Sequence, residues 1–147
     1  TGMAVTTDIA TLRDIHPPNK QDVGKRLSLW ALAKDYGQKD IVFTGPLFDK
    51  VDHAEGKGRI TVHFQKTDGK QHGLKTTDGK PPTHFEVAGE DGVWHPGKAT
   101  IVYGNHIMVE SDQVAKPEHA RFAWDQAAVP NLVNRAGLPA SPFTSQK

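Results

Sequence analysis

The segment RDIHPPNK, residues 13–20, holds the residues whose types and spacing are best suited to chemistry. It places His16 two residues after Asp14, at the start of a predicted helix. A histidine accepts a proton from a nucleophile best when a carboxylate fixes its tautomer and stabilises the imidazolium ion. The spacing therefore predicts the base end of a hydrolase catalytic triad, with His16 as the general base and Asp14 as the group that orients it. The alternatives are a structural loop histidine and a capping or turn carboxylate.

A nucleophile to match this base is not evident in the chain. The serines are Ser28, Ser111, Ser141 and Ser145. None of them lies in the Gly-rich turn between a strand and a helix that exposes a nucleophilic serine. We therefore expect the nucleophile to lie outside this chain.

The elements that must position His16 are a strand, a loop and a helix. The apolar run from Met3 to Thr7 predicts a buried strand. From Pro17 to Tyr36, apolar residues recur at helical spacing, the two prolines suit a first turn, and Gly37 suits the C-cap. Because the apolar face of this helix is wide, we expect it to pack against a large apolar partner.

After Gly37 the hydrophobic period changes from helical to two, which is typical of half-buried strands. Strands are predicted from this pattern at residues 60–65, 84–88, 100–103, 106–109 and 121–124, with a further apolar run at 41–43. Gly104-Asn105 predicts a two-residue hairpin turn. Residues 67–83 are predicted to form an exposed loop, and residues 131–143 an ordered tail without regular structure. Short antiparallel strands with turns between them indicate a β-sandwich.

Several separated motifs carry a family resemblance. They are the segment TGMAVTTDIATLRDIHPPNKQDVGKRLSLWALAKDYG at residues 1–37, TGPLF at 44–48, FEVAGEDGVWHP at 85–96, ARFAW at 120–124 and NLVNRAGLPASPF at 131–143. In this order they resemble the C-terminal part of sialate O-acetylesterases, a branch of the SGNH (GDSL-like) serine hydrolases. The resemblance implies a mixed α/β remnant followed by an all-β unit. Residues 1–38 would be the last strand, the histidine loop and the helix of an SGNH α/β hydrolase domain, and residues 39–147 a jelly-roll-like β-sandwich module with an extended tail.

The resemblance also implies an activity. The complete enzyme would remove O-acetyl groups from sialic acid or another acetylated sugar, with an upstream serine as nucleophile and no metal or organic cofactor. This chain alone would be inactive, and its expected partners are the sugar substrate and either the upstream half of the same enzyme or a second copy. Many SGNH enzymes place the acid three residues before the histidine, whereas here the interval is two, so Asp8 is an alternative orienting group. The resemblance implies a periplasmic or extracellular location in a bacterium.

Composition excludes several other classes of protein. The chain has 18 basic and 17 acidic residues, a net charge of +1 and no basic cluster, which argues against a nucleic-acid partner. No apolar stretch approaches the roughly 20 residues of a membrane span. The absence of cysteine excludes disulfides and thiolate metal sites.

The remaining histidines and the aromatic residues each allow a second interpretation. Seven further histidines lack the HxH or HxxxH spacing of metal ligands, and we expect solvated side chains rather than a metal site at His53, His63, His72, His84, His95, His106 and His119. Four aromatic residues are predicted to be core, although they could instead form a sugar-stacking platform: Phe85, Trp94, Phe122 and Trp124. That platform would make the chain a non-catalytic carbohydrate-binding or interaction module, in which His16 is incidental.

Overall fold

The computed structural model of the chain describes residues 1–12, 14, 16, 18–53, 58–65 and 73–146. Within these residues it contains one helix, α1 (Lys20–Lys34), followed by strands. The strands are β1 (Phe48–His53), β2 (Arg59–Phe64), β3 (Leu74–Thr76), β4 (Phe85–Ala88), β5 (Trp94–Pro96), β6 (Lys98–Val102), β7 (His106–Glu110), β8 (His119–Phe122), β9 (Leu132–Asn134) and β10 (Phe143–Thr144). In the part of the chain that is described, no helix combines the length and the apolarity needed to cross a membrane.

The helix is confirmed, but it is shorter than predicted at both ends. It begins at Lys20 because Asn19 caps it, with the Asn19 side chain accepting a hydrogen bond of 3.1 Å from the backbone N–H of Asp22. It ends at Lys34, and Gly37 adopts a φ of 68°, the left-handed conformation that a glycine after a helix supplies. Pro17, predicted to lie in the first turn, is outside the described residues.

The apolar face of α1 is only partly covered by the described residues. No residue of the helix is buried, and Leu27 is 48% exposed. The main aromatic contact is between Trp30 and Phe43, whose ring centroids lie 4.7 Å apart at an edge-to-face angle.

The strand predicted at Met3–Thr7 is not present in the structure. An extended segment becomes a strand only when a neighbouring strand pairs with it. None of the described strands pairs with residues 3–7. Met3 is 65% exposed, and residues 4–8 are half-buried rather than buried. The segment is instead attached to α1 by side chains, as described below.

The strands form two four-stranded antiparallel sheets and one two-stranded sheet. The first sheet has the order β1-β2-β7-β6, the second β10-β8-β4-β5, and β3 pairs with β9. The predicted alternation in β2 is confirmed, because Ile60, Val62 and Phe64 are buried while their neighbours are partly exposed. The described part of the chain is thus mostly β, with one helix and several antiparallel sheets.

One hydrophobic core draws residues from both four-stranded sheets. Ile60 and Ile107 come from the first sheet, and Phe85 and Phe122 from the second, and all four are at most 2% exposed. Phe143 of β10 stacks on Phe48 of β1 with ring centroids 4.4 Å apart, which joins the two sheets at their edge. Burial of this apolar area stabilises the β region, and none of the core residues belongs to α1.

Several sequence predictions in the β region are wrong, and most of the elements involved are too short to show a period, although β1 is as long as β2. The segment predicted to be an exposed loop contains β3, with Leu74 buried, and the tail predicted to lack regular structure contains β9 and β10. The residues at 41–43 belong to no strand, and β1 and β5 were not predicted.

The hairpin between β6 and β7 is confirmed, but its turn is longer than predicted. Val102 pairs with His106, so the loop holds three residues, and Tyr103 and Gly104 have φ values of 51° and 74°. The strand predicted at residues 121–124 ends at Phe122 because Ala123 has a φ of 48°, which turns the chain away from the sheet.

Candidate active site

Asp14 and His16 lie side by side in the loop before α1. The Nδ1 atom of His16 is 2.9 Å from Oδ1 of Asp14, and the backbone N–H of His16 donates a 2.9 Å hydrogen bond to the same oxygen. With Nδ1 against a carboxylate, Nε2 is the ring nitrogen left to accept a proton. This is the relation between the histidine and the acid that a triad requires.

The electrostatics of the pair favour an ionised Asp14. The backbone N–H of His16, then the His16 ring, and to a smaller extent the positive charge of Lys20, hold the pKa of the Asp14 carboxyl below its usual value. A carboxylate that stays charged can stabilise the imidazolium ion formed when His16 takes up a proton.

Local contacts fix the start of this loop. Thr11 and Asp14 form an isolated antiparallel bridge, and the Thr11 hydroxyl donates a 3.0 Å hydrogen bond to the backbone carbonyl of Asp14. On the other side, Asn19 caps α1 and donates from Nδ2 to the Asp22 carboxylate at 2.7 Å. His16 is therefore held between a turn and a capped helix.

A clamp formed by Arg26 joins α1 to the segment that precedes the loop. Its Nη1 atom donates to the carbonyl of Val5 at 2.6 Å and to Oδ1 of Asp8 at 2.7 Å, and Nη2 donates to Oδ2 of Asp8 at 2.6 Å. The Arg26 and Asp8 side chains are only 11% and 20% exposed. Trp30 adds a hydrogen bond of 2.9 Å to the carbonyl of Met3.

The two candidate orienting acids differ in the residues that they contact. Both Asp8 oxygens are bound by Arg26, whereas Asp14 contacts the His16 ring directly. Sequence reasoning missed Arg26, because it lies 18 residues from Asp8 and only the fold brings them together. The one signal of this pairing in the sequence is that Arg26 lies on the otherwise apolar side of the predicted helix.

The His16 and Asp14 side chains are open to solvent, with 76% and 62% of their surface exposed. Within the described residues, no serine hydroxyl is hydrogen-bonded to His16. Ser28 and Ser111 donate to the backbone carbonyls of Lys25 and Pro96, and Ser145 accepts from the backbone of Ala120. The cavity of about 490 Å³ between α1 and residues 136–138 has neither His16 nor Asp14 in its lining.

Four of the other histidines that the structure describes are half-buried, although all were expected to be solvated. His63 and His106, expected to face solvent, are half-buried cross-strand neighbours whose ring centroids lie 4.2 Å apart, and His63 Nε2 is 2.8 Å from a carboxylate oxygen of Asp52. Of the rest, His53 and His84 are exposed, His95 and His119 are half-buried, and His72 lies outside the described residues. No group of three or more metal-ligating side chains is placed to hold an ion in the described part of the chain.

The four aromatic residues divide into two pairs. Phe85 and Phe122 are core, as predicted. Trp94 is half-buried beneath the guanidinium of Arg121, whose carbon lies 4.4 Å from the ring centroid, and Trp124 is 53% exposed. The prediction of a core position is therefore wrong for both tryptophans.

Comparison with known proteins identifies similar sequences and a similar fold. Sialate O-acetylesterases from Pongo abelii and Homo sapiens are each 38% identical to the chain over 156 residues, which cover 97% of the chain. The Rattus norvegicus sialate O-acetylesterase is 43% identical over 161 residues, covering 99% of the chain. In every case the chain spans 28% of the length of the relative. No protein-family model matches the chain.

A solved structure extends the likeness to the fold. The crystal structure of a carbohydrate acetylesterase from Xanthomonas citri matches 95% of the chain with a TM-score of 0.86 and 36% sequence identity. The match covers 31% of that protein.

Proposed function

This chain belongs to the family of sialate O-acetylesterase-like proteins, of which it matches a part, and we propose that this part supplies the general base of a carbohydrate esterase. The observation that carries the proposal is the 2.9 Å contact between His16 Nδ1 and Asp14, in a chain related throughout to acetylesterases. The substrate is an O-acetylated sugar, either sialic acid or another acetylated saccharide.

The proposed mechanism is acyl transfer to a serine that this chain does not supply. The serine hydroxyl attacks the acetyl carbonyl while His16 Nε2 takes its proton, and Asp14 stabilises the imidazolium ion. His16 then gives the proton to the sugar oxygen as that oxygen leaves, which forms an acetyl-enzyme. Water, deprotonated by His16, attacks the acetyl-enzyme and releases acetate and the free serine. The mechanism requires no metal or organic cofactor.

The proposed domain arrangement follows from the same relationship. Residues 1–38 correspond to the last strand, the histidine loop and the helix of an SGNH hydrolase domain, and residues 39–147 to a jelly-roll-like β-sandwich built from the two four-stranded sheets. Met3–Thr7, which pairs with no described strand here, would complete the hydrolase sheet in the whole enzyme. The proposed location remains periplasmic or extracellular.

The surface around α1 supports a polypeptide partner, for which the upstream half of the same enzyme or a second copy is proposed. Met3, Leu12 and Leu27 are 65%, 69% and 48% exposed. The Thr7 hydroxyl is buried without a hydrogen-bond partner among the described residues. Exposed apolar side chains and an unpaired polar atom in one region are typical of a surface that another segment covers.

Acetate release provides the test of this function. The complete enzyme is expected to hydrolyse an O-acetylated sugar and p-nitrophenyl acetate with saturation kinetics, and a serine-directed inhibitor should abolish both activities. The 147-residue chain alone should show only the background of a surface histidine. Saturable, inhibitor-sensitive turnover by the isolated chain would contradict the proposal. So would a complete enzyme that shows no such turnover.

A further inference from the structure

A groove beside Trp124 has the features of a saccharide site separate from His16. The cavity measures about 580 Å³ and is formed by residues 82–86, 96–97, 123–125 and 127–128. This volume is within the range of small-molecule sites, which are usually lined by apolar and aromatic side chains with a few polar groups. Trp124 leaves 53% of its surface exposed there, which is unusual for the largest aromatic side chain.

The backbone around the groove is held in an uncommon conformation. His84 and Ala123, neither of them glycine, have φ values of 61° and 48°, and the Ala123 N–H donates a 2.9 Å hydrogen bond to the His84 carbonyl. These two residues turn the ends of β4 and β8 away from their sheet, where Phe85 and Phe122 pair. Left-handed conformations at such positions cost free energy, and they persist where the surrounding structure fixes them. The result is that Trp124 lies beyond the end of β8 and is half-exposed rather than packed into the core.

The charge of the groove selects a neutral ligand. No lysine or arginine is among the residues that line it, all of which are described. Of its two carboxylates, Glu86 is bound at both oxygens by Arg121, at 2.7 and 3.0 Å. Asp125 accepts a 2.6 Å hydrogen bond at Oδ1 from the backbone N–H of Ala127 and has no ion-pair partner among the described residues. An anionic sugar would meet repulsion there, whereas the hydroxyl groups of a neutral sugar can donate hydrogen bonds to Asp125.

A second cavity shares part of the lining of the groove. Ala123, Trp124, Asp125 and Ala128 line this cavity of about 380 Å³ as well. Thr6, Thr7 and Ala10, which precede the Thr11–Asp14 bridge in the chain, also line it. A chain of sugar rings lying across Trp124 would therefore have room to extend toward Thr6–Ala10.

We propose that the groove at Trp124 binds a neutral pyranose ring of an oligosaccharide, with the indole stacked on the C–H face of the sugar and Asp125 accepting its hydroxyl groups. The inference rests on the proposed function in that it makes the substrate an acetylated glycan chain rather than a free acidic monosaccharide. An all-equatorial pyranose presents a flat C–H face to an aromatic ring, so β-1,4-linked glucose and xylose units suit the site.

Calorimetric titration of the 147-residue chain with cellotetraose, xylotetraose and N-acetylneuraminic acid tests the proposal. At least one neutral tetrasaccharide should bind, and the anionic sugar should not. Trp124→Ala should weaken binding of the tetrasaccharide by about tenfold or more, whereas Trp124→Phe, which keeps an aromatic face, should retain most of it. Tyr103→Ala is the matched control, because Tyr103 is an aromatic residue that is 92% exposed in the hairpin loop away from the groove.

These outcomes are separable from those for the esterase. The tetrasaccharides carry no acetyl ester, so His16→Ala should bind them with unchanged affinity even where it abolishes acetate release. Failure of both tetrasaccharides to bind, equal losses in Trp124→Ala and Tyr103→Ala, or preferential binding of N-acetylneuraminic acid would overturn the saccharide site and leave the esterase proposal standing. An unchanged melting temperature of Trp124→Ala would show that any loss is not a folding defect, as expected for a half-exposed side chain.

Discussion

At the scale of single residues, the short interval between Asp14 and His16 determines their geometry. With one residue between them, the backbone N–H and the ring of His16 both reach the same carboxylate oxygen. That proximity could be predicted from the sequence because it is local. The engagement of Asp8 by Arg26 could not, because it depends on how α1 packs on a segment 18 residues earlier.

Substitution of the two aspartates should separate catalysis from stability. In the complete enzyme, Asp14→Asn should lower kcat by about 10²- to 10⁴-fold, because an amide neither fixes the productive tautomer nor stabilises the imidazolium ion. Asp8→Asn should instead lower the free energy of unfolding by about 1–3 kcal/mol, because it weakens the clamp with Arg26. Steady-state kinetics and urea unfolding of both variants measure these effects. A larger loss of kcat in Asp8→Asn would identify Asp8 as the orienting acid.

The pKa of Asp14 provides a second test at this scale. Because the folded state holds this pKa below its usual value, the ordered loop is favoured above the ordinary pKa of an aspartate and loses that contribution as the pH falls through the lowered pKa. In His16→Ala the backbone N–H remains, so the pKa of Asp14 should rise only part of the way back. Carboxyl ¹³C titration by NMR measures both values. A complete return to the ordinary pKa would mean that the ring, and not the backbone N–H, is the main cause.

At the scale of elements, predictability follows length and pattern. The helix and β2 carry enough apolar residues at one period to be recognised, whereas β9 and β10 have three and two residues. The strand predicted at Met3–Thr7 shows a different limit, since its sequence is strand-like but no described strand pairs with it. Strand formation depends on a partner, which a local pattern does not contain.

Two glycine substitutions test the packing of these elements against each other. A Cβ atom at Gly45 would overlap the carbonyl oxygen of Pro139, so Gly45→Ala should separate the tail from the segment after α1 and destabilise the chain by about 2 kcal/mol or more. A Cβ atom at Gly24, within α1, would meet no atom within 4 Å, so Gly24→Ala should stabilise the helix by about 0.5–1 kcal/mol. Thermal unfolding of both variants shows whether each substitution raises or lowers the stability of the chain. Destabilisation by Gly24→Ala would indicate that another segment already covers that face of the helix.

At the scale of the whole molecule, the helical region and the β region differ in how far their apolar side chains are buried. The β region has its own core, whereas α1 has no buried residue and the chain spans 28% of the length of its relatives. We expect the surface of α1 and Met3–Thr7 to bind the upstream half of the enzyme or a second copy over more than about 1,000 Å². Size-exclusion chromatography with light scattering tests this expectation. A stable, strictly monomeric 16.1 kDa species without a bound polypeptide would contradict it.

The most direct test of the account is the turnover of an O-acetylated sugar by the complete enzyme carrying His16→Ala. His53→Ala is the matched control, since His53 is also exposed and, among the described residues, its ring nitrogen lies near Pro117 and Glu118, away from Asp14 and His16. Because a triad without its base loses most of its transition-state stabilisation, His16→Ala should lower kcat by about 10³-fold or more while the melting temperature stays unchanged. His53→Ala should retain the activity of the unmodified enzyme. Equal, small effects of the two substitutions on kcat would show that His16 is an ordinary loop histidine and would contradict the central claim.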